Sequence, residues 1–229
     1  MEYAVYSNIK FVEDILQHAG DYANLPVLNW WLTDSGMRIR FAAVDDPTYG
    51  LMHFDTSATS HAPLAMVEIW NSEVAQRKVG LRGGMYKLIC GNGMCHWSAA
   101  SEQTWIHRGD ADRIQRGVSN AFQAVLRTAT EVCDAYSSAS DVSVKNPSVW
   151  LTQQLTKEKV PEKTITDMVK ALRDPTTTPG NTLASVIDAI TLVAHSTKDM
   201  DKQEEFESVA ARILNYGLTV ANGNGGEIK

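Results

Sequence analysis

The chain has 229 residues, 44% of them hydrophobic and 21% charged, with a net charge of −6. That length and balance suit a folded domain with a sizeable core and exclude a chain disordered throughout. The first twenty residues carry Glu2, Glu13 and Asp14 with no basic segment ahead of an apolar run, and stretches such as Leu183 to Ala194 are too short to span a bilayer. A secretory leader and a membrane span are therefore not expected.

In chain order, Ser7 to Leu16 predicts a short helix, with Ser7 or Asn8 as its cap and Ile9, Val12, Ile15 and Leu16 on one face. Short segments rich in branched and aromatic residues follow at 38–44, 49–54, 64–70, 77–81, 85–90, 94–98 and 103–107. They predict an antiparallel meander, with turns at Gly83-Gly84 and Gly91-Asn92-Gly93. From Asp110 to Tyr136 the apolar period changes to three and four residues, predicting a long amphipathic helix laid on that sheet.

Residues 137–146 are small and polar and predict a linker. A short helical turn at 149–155 comes next. Helices are expected at 161–173, from a cap at Asn181 to His195, and at 203–216 with a stop at Gly217. The fold class is α+β: an antiparallel sheet meander packed by a long helix, followed by a C-terminal helical subdomain. The expected organisation is one domain over 1–229. It comprises an N-terminal helix in 1–24, sheet and long helix in 25–136, helices in 148–217 and a frayed tail at 218–229.

The three cysteines, Cys90, Cys95 and Cys133, are an odd number without paired spacings, which fits a reducing cytoplasm. No phosphate loop, metal-binding His-Glu-x2-His, nucleophile elbow or dinucleotide fingerprint is present. Cys90, Cys95 and His96 supply three soft ligands that His107 or His61 would have to complete for zinc; buried thiols explain them better, and no metal or cofactor is assigned. Glu73, Cys90, Asn92 and His107 are the polar residues that would serve an enzyme, Cys90 as nucleophile and His107 as base. Each serves equally well as a turn or cap residue.

Charge is uneven. Between Arg77 and Arg127 the balance is +5, and the remainder carries −11. Basic and aromatic residues interleave in this window, as a surface for single-stranded nucleic acid requires: cations to track phosphates and rings to stack on bases. Arg77, Lys78, Arg82, Lys87, Arg108 and Arg113 are the phosphate candidates, and Trp97 and Trp105 the stacking candidates. Core packing is the competing role for each ring.

Three segments resemble the phage/plasmid-like "domain of unknown function 932" family: Asn71-Ser72-Glu73-Val74, then Gly84-Met85-Tyr86-Lys87-Leu88-Ile89-Cys90-Gly91-Asn92-Gly93-Met94, then His107-Arg108-Gly109. Asn181-Thr182-Leu183, Asp188-Ala189-Ile190-Thr191 and His195 are similar to the family's C-terminal helix. The similarity covers roughly 64–217. The chain departs from the pattern at Ala75, Lys87 and Leu183 and in the order of His107 and Arg108. The resemblance implies a phage, prophage or plasmid protein acting in bacterial cytoplasm, without supplying an activity. The expectation is an accessory protein that binds nucleic acid, single-stranded DNA above all, as a homo-oligomer in recombination or replication. The alternatives are a host-takeover or counter-defence protein acting through a host protein partner, and an enzyme using the four polar residues above.

Overall fold

A computed structural model of the chain describes residues 4–18, 27–43, 63–74, 76–89, 92–97, 101–174, 177–178, 180–197 and 199–229. The expected strand at 49–54, His61, Cys90 and Gly91 lie outside the described residues, while Asn92 and Gly93 of the expected turn open a strand. The elements are α1 (Asn8–His18), β1 (Val27–Thr33), β2 (Gly36–Ala42), β3 (Leu64–Asn71), β4 (Val79–Ile89), β5 (Asn92–Trp97), β6 (Gln103–Trp105) and α2 (Ala111–Ala139). After them come β7 (Ser143–Val144), α3 (Pro147–Lys157), α4 (Glu162–Ala171), α5 (Leu183–Ser196), α6 (Met200–Gly223) and β8 (Glu227–Ile228). Strands β1 to β5 follow one another as an antiparallel meander, with β6 pairing to β4. The α+β class and the C-terminal helices are as expected. Two compact units are distinguished, one drawing on 1–55, 64–85 and 98–131, the other on 56–63, 86–97 and 132–229.

In the first unit, alternation sends Met37, Phe41, Val67, Ile69, Val79 and Leu81 to one face of the sheet. There they meet Phe11 and Ile15 of α1 and Ile114, Val118, Phe122, Val125 and Leu126 of α2. The three- and four-residue spacing of the α2 residues is the stripe that places this helix against strands. Asp14, fully buried on α1, ties the two helices together. Its carboxylate accepts from Tyr6 Oη at 2.6 Å, Lys10 Nζ at 2.6 Å and Gln115 Nε2 at 2.9 Å.

In the second unit α5 is buried on nearly every side, which makes it the central helix around which α3, α4 and α6 gather. Its start is a capping box: Thr182 Oγ1 accepts from Ser185 N while Ser185 Oγ accepts from Thr182 N. The cap is thus Thr182, one residue beyond the expected Asn181.

Glycines account for two of the differences from the expected elements. Gly83 and Gly84 do not turn; β4 runs straight through them as one eleven-residue strand. A Cβ at Gly83 would lie 2.4 Å from the Val125 carbonyl oxygen and 3.0 Å from the Ala129 nitrogen, so this glycine exists to let α2 approach the strand. Gly217 likewise does not stop the last helix. A Cβ there would meet Leu183 at 2.7 Å, and α6 continues to Gly223.

The tail is not frayed. Glu227 and Ile228 pair in parallel with Ser143 and Val144, and Ile228 is buried. The expected linker accordingly holds the end of α2 and strand β7. The helical turn at 149–155 is an eleven-residue helix, α3. Strand β1 was not anticipated, because Val27 to Thr33 lacks strict alternation; a bulge between Val27 and Asn29 interrupts its register.

Gly83→Ala should lower stability by about 1–3 kcal/mol, because the clash is with helix backbone and cannot be relieved by a rotamer change. Denaturant unfolding checks this, and an unchanged midpoint would show that α2 does not need the close approach.

Candidate nucleic-acid interface

The basic residues of the central window divide by what they face. Arg82 is 3% exposed and Lys87 1% exposed. Arg82 points from β4 to Glu68 on β3, its Nη2 lying 2.7 Å from Oε1. Arg40 of β2 reaches the other oxygen of Glu68, with Nε at 2.6 Å, and Arg38 stands at 3.8 Å. Arg40 also lies over the Trp31 ring at 4.9 Å, and Arg82 over Trp70 at 5.5 Å. This face of the sheet is therefore a stacked layer of guanidinium and indole around one buried carboxylate. Burial alone would raise the carboxyl pKa of Glu68. The fields of Arg82, Arg40 and Arg38 outweigh it and bring the group from the ordinary 4.5 down to about 2.

Lys87 belongs to a second buried network, within the other unit. Its Nζ donates to Tyr136 Oη at 2.7 Å, Thr178 Oγ1 at 2.8 Å and Asp188 Oδ2 at 2.8 Å, which uses all three protons. Tyr136 donates to the other oxygen of Asp188, and Thr178 donates to Oδ2 through both its backbone and its hydroxyl. Burial, together with the field of Asp188, holds the Tyr136 phenol well above its ordinary value. Arg82 and Lys87 are thus not available to phosphates: both are turned inward and held by carboxylates.

Two of the four candidate enzyme residues, Glu73 and His107, are also engaged. Glu73 Oε1 accepts from Asn8 N at 2.6 Å, at the start of α1. His107 is buried, with Nδ1 3.2 Å from the Ala4 carbonyl oxygen, while Ala4 N donates to the His107 carbonyl at 3.4 Å. Asn71 adds Nδ2 bonds to the Tyr6 carbonyl at 2.7 Å and Asn8 Oδ1 at 3.0 Å. Three motif residues, all far in sequence from the segment 4–8, therefore hold it. Asn92 and Trp97 are placed in β5 by their backbone; their side chains, like all of Cys90, are outside the described residues. Cys133 is a free thiol pushed up to about 12 by burial and Asp134. Among the described residues no cluster of His, Cys, Asp and Glu is placed to hold a metal, and no helix is long and apolar enough to cross a membrane.

Four of the expected nucleic-acid residues do converge. Lys78, Trp105, Arg108 and Arg113 line one open groove of about 470 Å³ in the first unit, together with Thr104, Ile106, Gly109 and Ile114. The arrangement follows from strand pairing. Val79 lies opposite Trp105 in the β4–β6 ladder, which sets Lys78 beside the end of β6. The chain then turns at Gly109 into α2, where Asp110 caps the helix through bonds to the backbone nitrogens of Asp112 and Arg113. The Trp105 ring is seated over Gly117, where a Cβ would be 2.3 Å from its Nε1.

Lys78, Arg108 and Arg113 are exposed, and none has a carboxylate at ion-pair distance among the described residues. Of the nearby acids, Asp110 is held at the helix start and Asp112 exerts its field on Lys10. Arg77 is exposed next to Lys78 without lining the groove. Ile106, half exposed on the rim, was not singled out from sequence; it lies between two candidates, and only the β4–β6 pairing reveals its position. Comparison with protein-family models, curated proteins and solved structures found no match for this chain.

Glu68→Gln should destabilise the protein by about 3–5 kcal/mol, since it leaves three buried guanidiniums without their shared carboxylate. Because the folded pKa is depressed, the contribution of Glu68 is complete above pH 4.5 and is lost as the pH falls toward 2. Unfolding free energies of both proteins across that range should therefore converge on acidification. A parallel pair of curves would contradict the assignment.

Proposed function

We propose that this chain binds single-stranded nucleic acid, DNA above all, in the groove formed by Lys78, Arg108 and Arg113 with the Trp105 ring. The observation that carries this reading is the convergence of three exposed cations, with no carboxylate at ion-pair distance among the described residues, on a groove walled by an indole and two isoleucines. A strand needs that combination: cations for its phosphates and an apolar surface for its bases. The footprint is smaller than the sequence window, since Arg82 and Lys87 serve the interior.

The motif resemblance supplies the setting: a phage, prophage or plasmid accessory protein working in recombination or replication in bacterial cytoplasm. The enzyme alternative is weakened by the engagement of Glu73 and His107 with the backbone of segment 4–8.

Fluorescence anisotropy with a labelled thymidine oligonucleotide at low salt tests the proposal. Alanine at Lys78, Arg108 or Arg113 should weaken binding by about tenfold each, as expected for the loss of one charge-assisted contact. Lys170→Ala, an exposed lysine of α4, should leave it unchanged. No binding by the unaltered chain would refute the function; full binding by the triple alanine variant would move it to another surface.

A further inference from the structure

We infer that β1 is a self-association edge, at which a second copy of this chain pairs its own β1 antiparallel to the first. The inference is independent of nucleic-acid binding. Strand β1 ends the sheet order, so one side of it has no strand neighbour among the described residues. Edges of this kind are ordinarily guarded by lysine, proline, an inward charge or a bulge. Val27-Leu28-Asn29-Trp30-Trp31-Leu32-Thr33 has no lysine, proline or charge, and its bulge, between Val27 and Asn29, leaves Trp30 to Thr33 in regular register.

Its apolar side chains are exposed: Val27 at 49%, Trp30 at 64% and Leu32 at 63%. Register puts them on one face. Val27 is opposite Phe41, Trp30 opposite Ile39 and Leu32 opposite Met37, and these three partners belong to the core-facing side of the sheet. The apolar surface of the sheet thus continues onto β1 beyond what α1 and α2 cover.

The occupant is argued from geometry and charge. The two-residue loop Asp34–Ser35 is closed by the Thr33–Gly36 pair, so Thr33 and Trp31 direct their backbone groups to β2 while Leu32 and Trp30 direct theirs outward. Consistent with this, Trp30 N–H is met by the side-chain oxygen of Asn29 at 2.8 Å and not by β2. That amide has only to turn aside to release the donor.

A two-fold axis at Trp31 then pairs Trp30 with Leu32 of the second copy, and Leu32 with its Trp30. Both pairs sit at outward-directed positions, and both are the aromatic–aliphatic kind that stabilises sheets. The strand carries no charge to repel its copy. The nearest acid, Asp34, is kept about 20 Å from its symmetry mate by the antiparallel rise. Val27, Trp30 and Leu32 together expose on the order of 300 Å² per copy. That is the smaller part of the ~800 Å² per partner of a standard interface, the rest of which would fall to the backbone edge and flanking side chains.

Light scattering coupled to size exclusion, at about 100 µM loaded chain and thus above a micromolar Kd, tests the inference. The unaltered chain should run at twice the monomer mass. Leu32→Lys and Trp30→Lys should each run as folded monomers, with circular dichroism unchanged because both positions are exposed. Ile9→Lys, which places the same charge at a 74% exposed apolar position on α1, should remain dimeric. A monomeric unaltered chain overturns the inference. So does a dimer that survives both β1 substitutions, or one that Ile9→Lys also dissociates.

Discussion

A cation drawn out of water must be met by a carboxylate, and two carboxylates settle the fate of the basic window in this chain. Glu68 gathers Arg38, Arg40 and Arg82 on the sheet, and Asp188 holds Lys87 beside Tyr136 and Thr178. Each site is hydrogen-bonded on both carboxylate oxygens, the condition under which a buried ion pair is tolerated. Of the positive charge that these pairs do not consume, Lys78, Arg108 and Arg113 lie at the junction of β4, β6 and the first turn of α2, while Arg77, Arg116 and Arg127 are exposed without lining the groove there.

The same logic accounts for the contacts made by polar residues that look catalytic in sequence. Asn71, Glu73 and His107 are polar, near apolar strands and embedded in recognisable motifs. Their side chains meet backbone groups of segment 4–8, which has few ladder partners of its own. A buried chain segment needs such partners, and side chains from β3 and the turn after β6 provide them.

Much of the architecture was legible from period alone. The change from two-residue alternation to three- and four-residue spacing near Asp110 marks the start of α2, and the antiparallel meander follows from the short strands before it. The partners of the cations were not legible. Arg82 is 14 residues from Glu68, across to the neighbouring strand, and Lys87 is 101 residues from Asp188, and no local pattern announces either carboxylate. Alternation offers one signal: Arg38 and Arg40 share a strand face, which on a buried sheet calls for a counter-charge opposite. Gly83 and Gly217 were misread because glycine signals both a turn and a close approach, and only the neighbouring element distinguishes them. The ordered tail escaped notice because two residues of β-pairing leave no periodic trace.

On the proposed reading, the division of charges sets how many phosphates the groove would neutralise. For single strands the logarithm of the binding constant falls with the logarithm of salt concentration by about 0.7 per phosphate contact. Three contacts, from Lys78, Arg108 and Arg113, correspond to a slope of about −2. A salt titration of oligonucleotide binding measures this directly. A slope near −2 is the expected result; a slope near −4, as six cations including Arg82 and Lys87 would produce, or one near zero, would contradict the account.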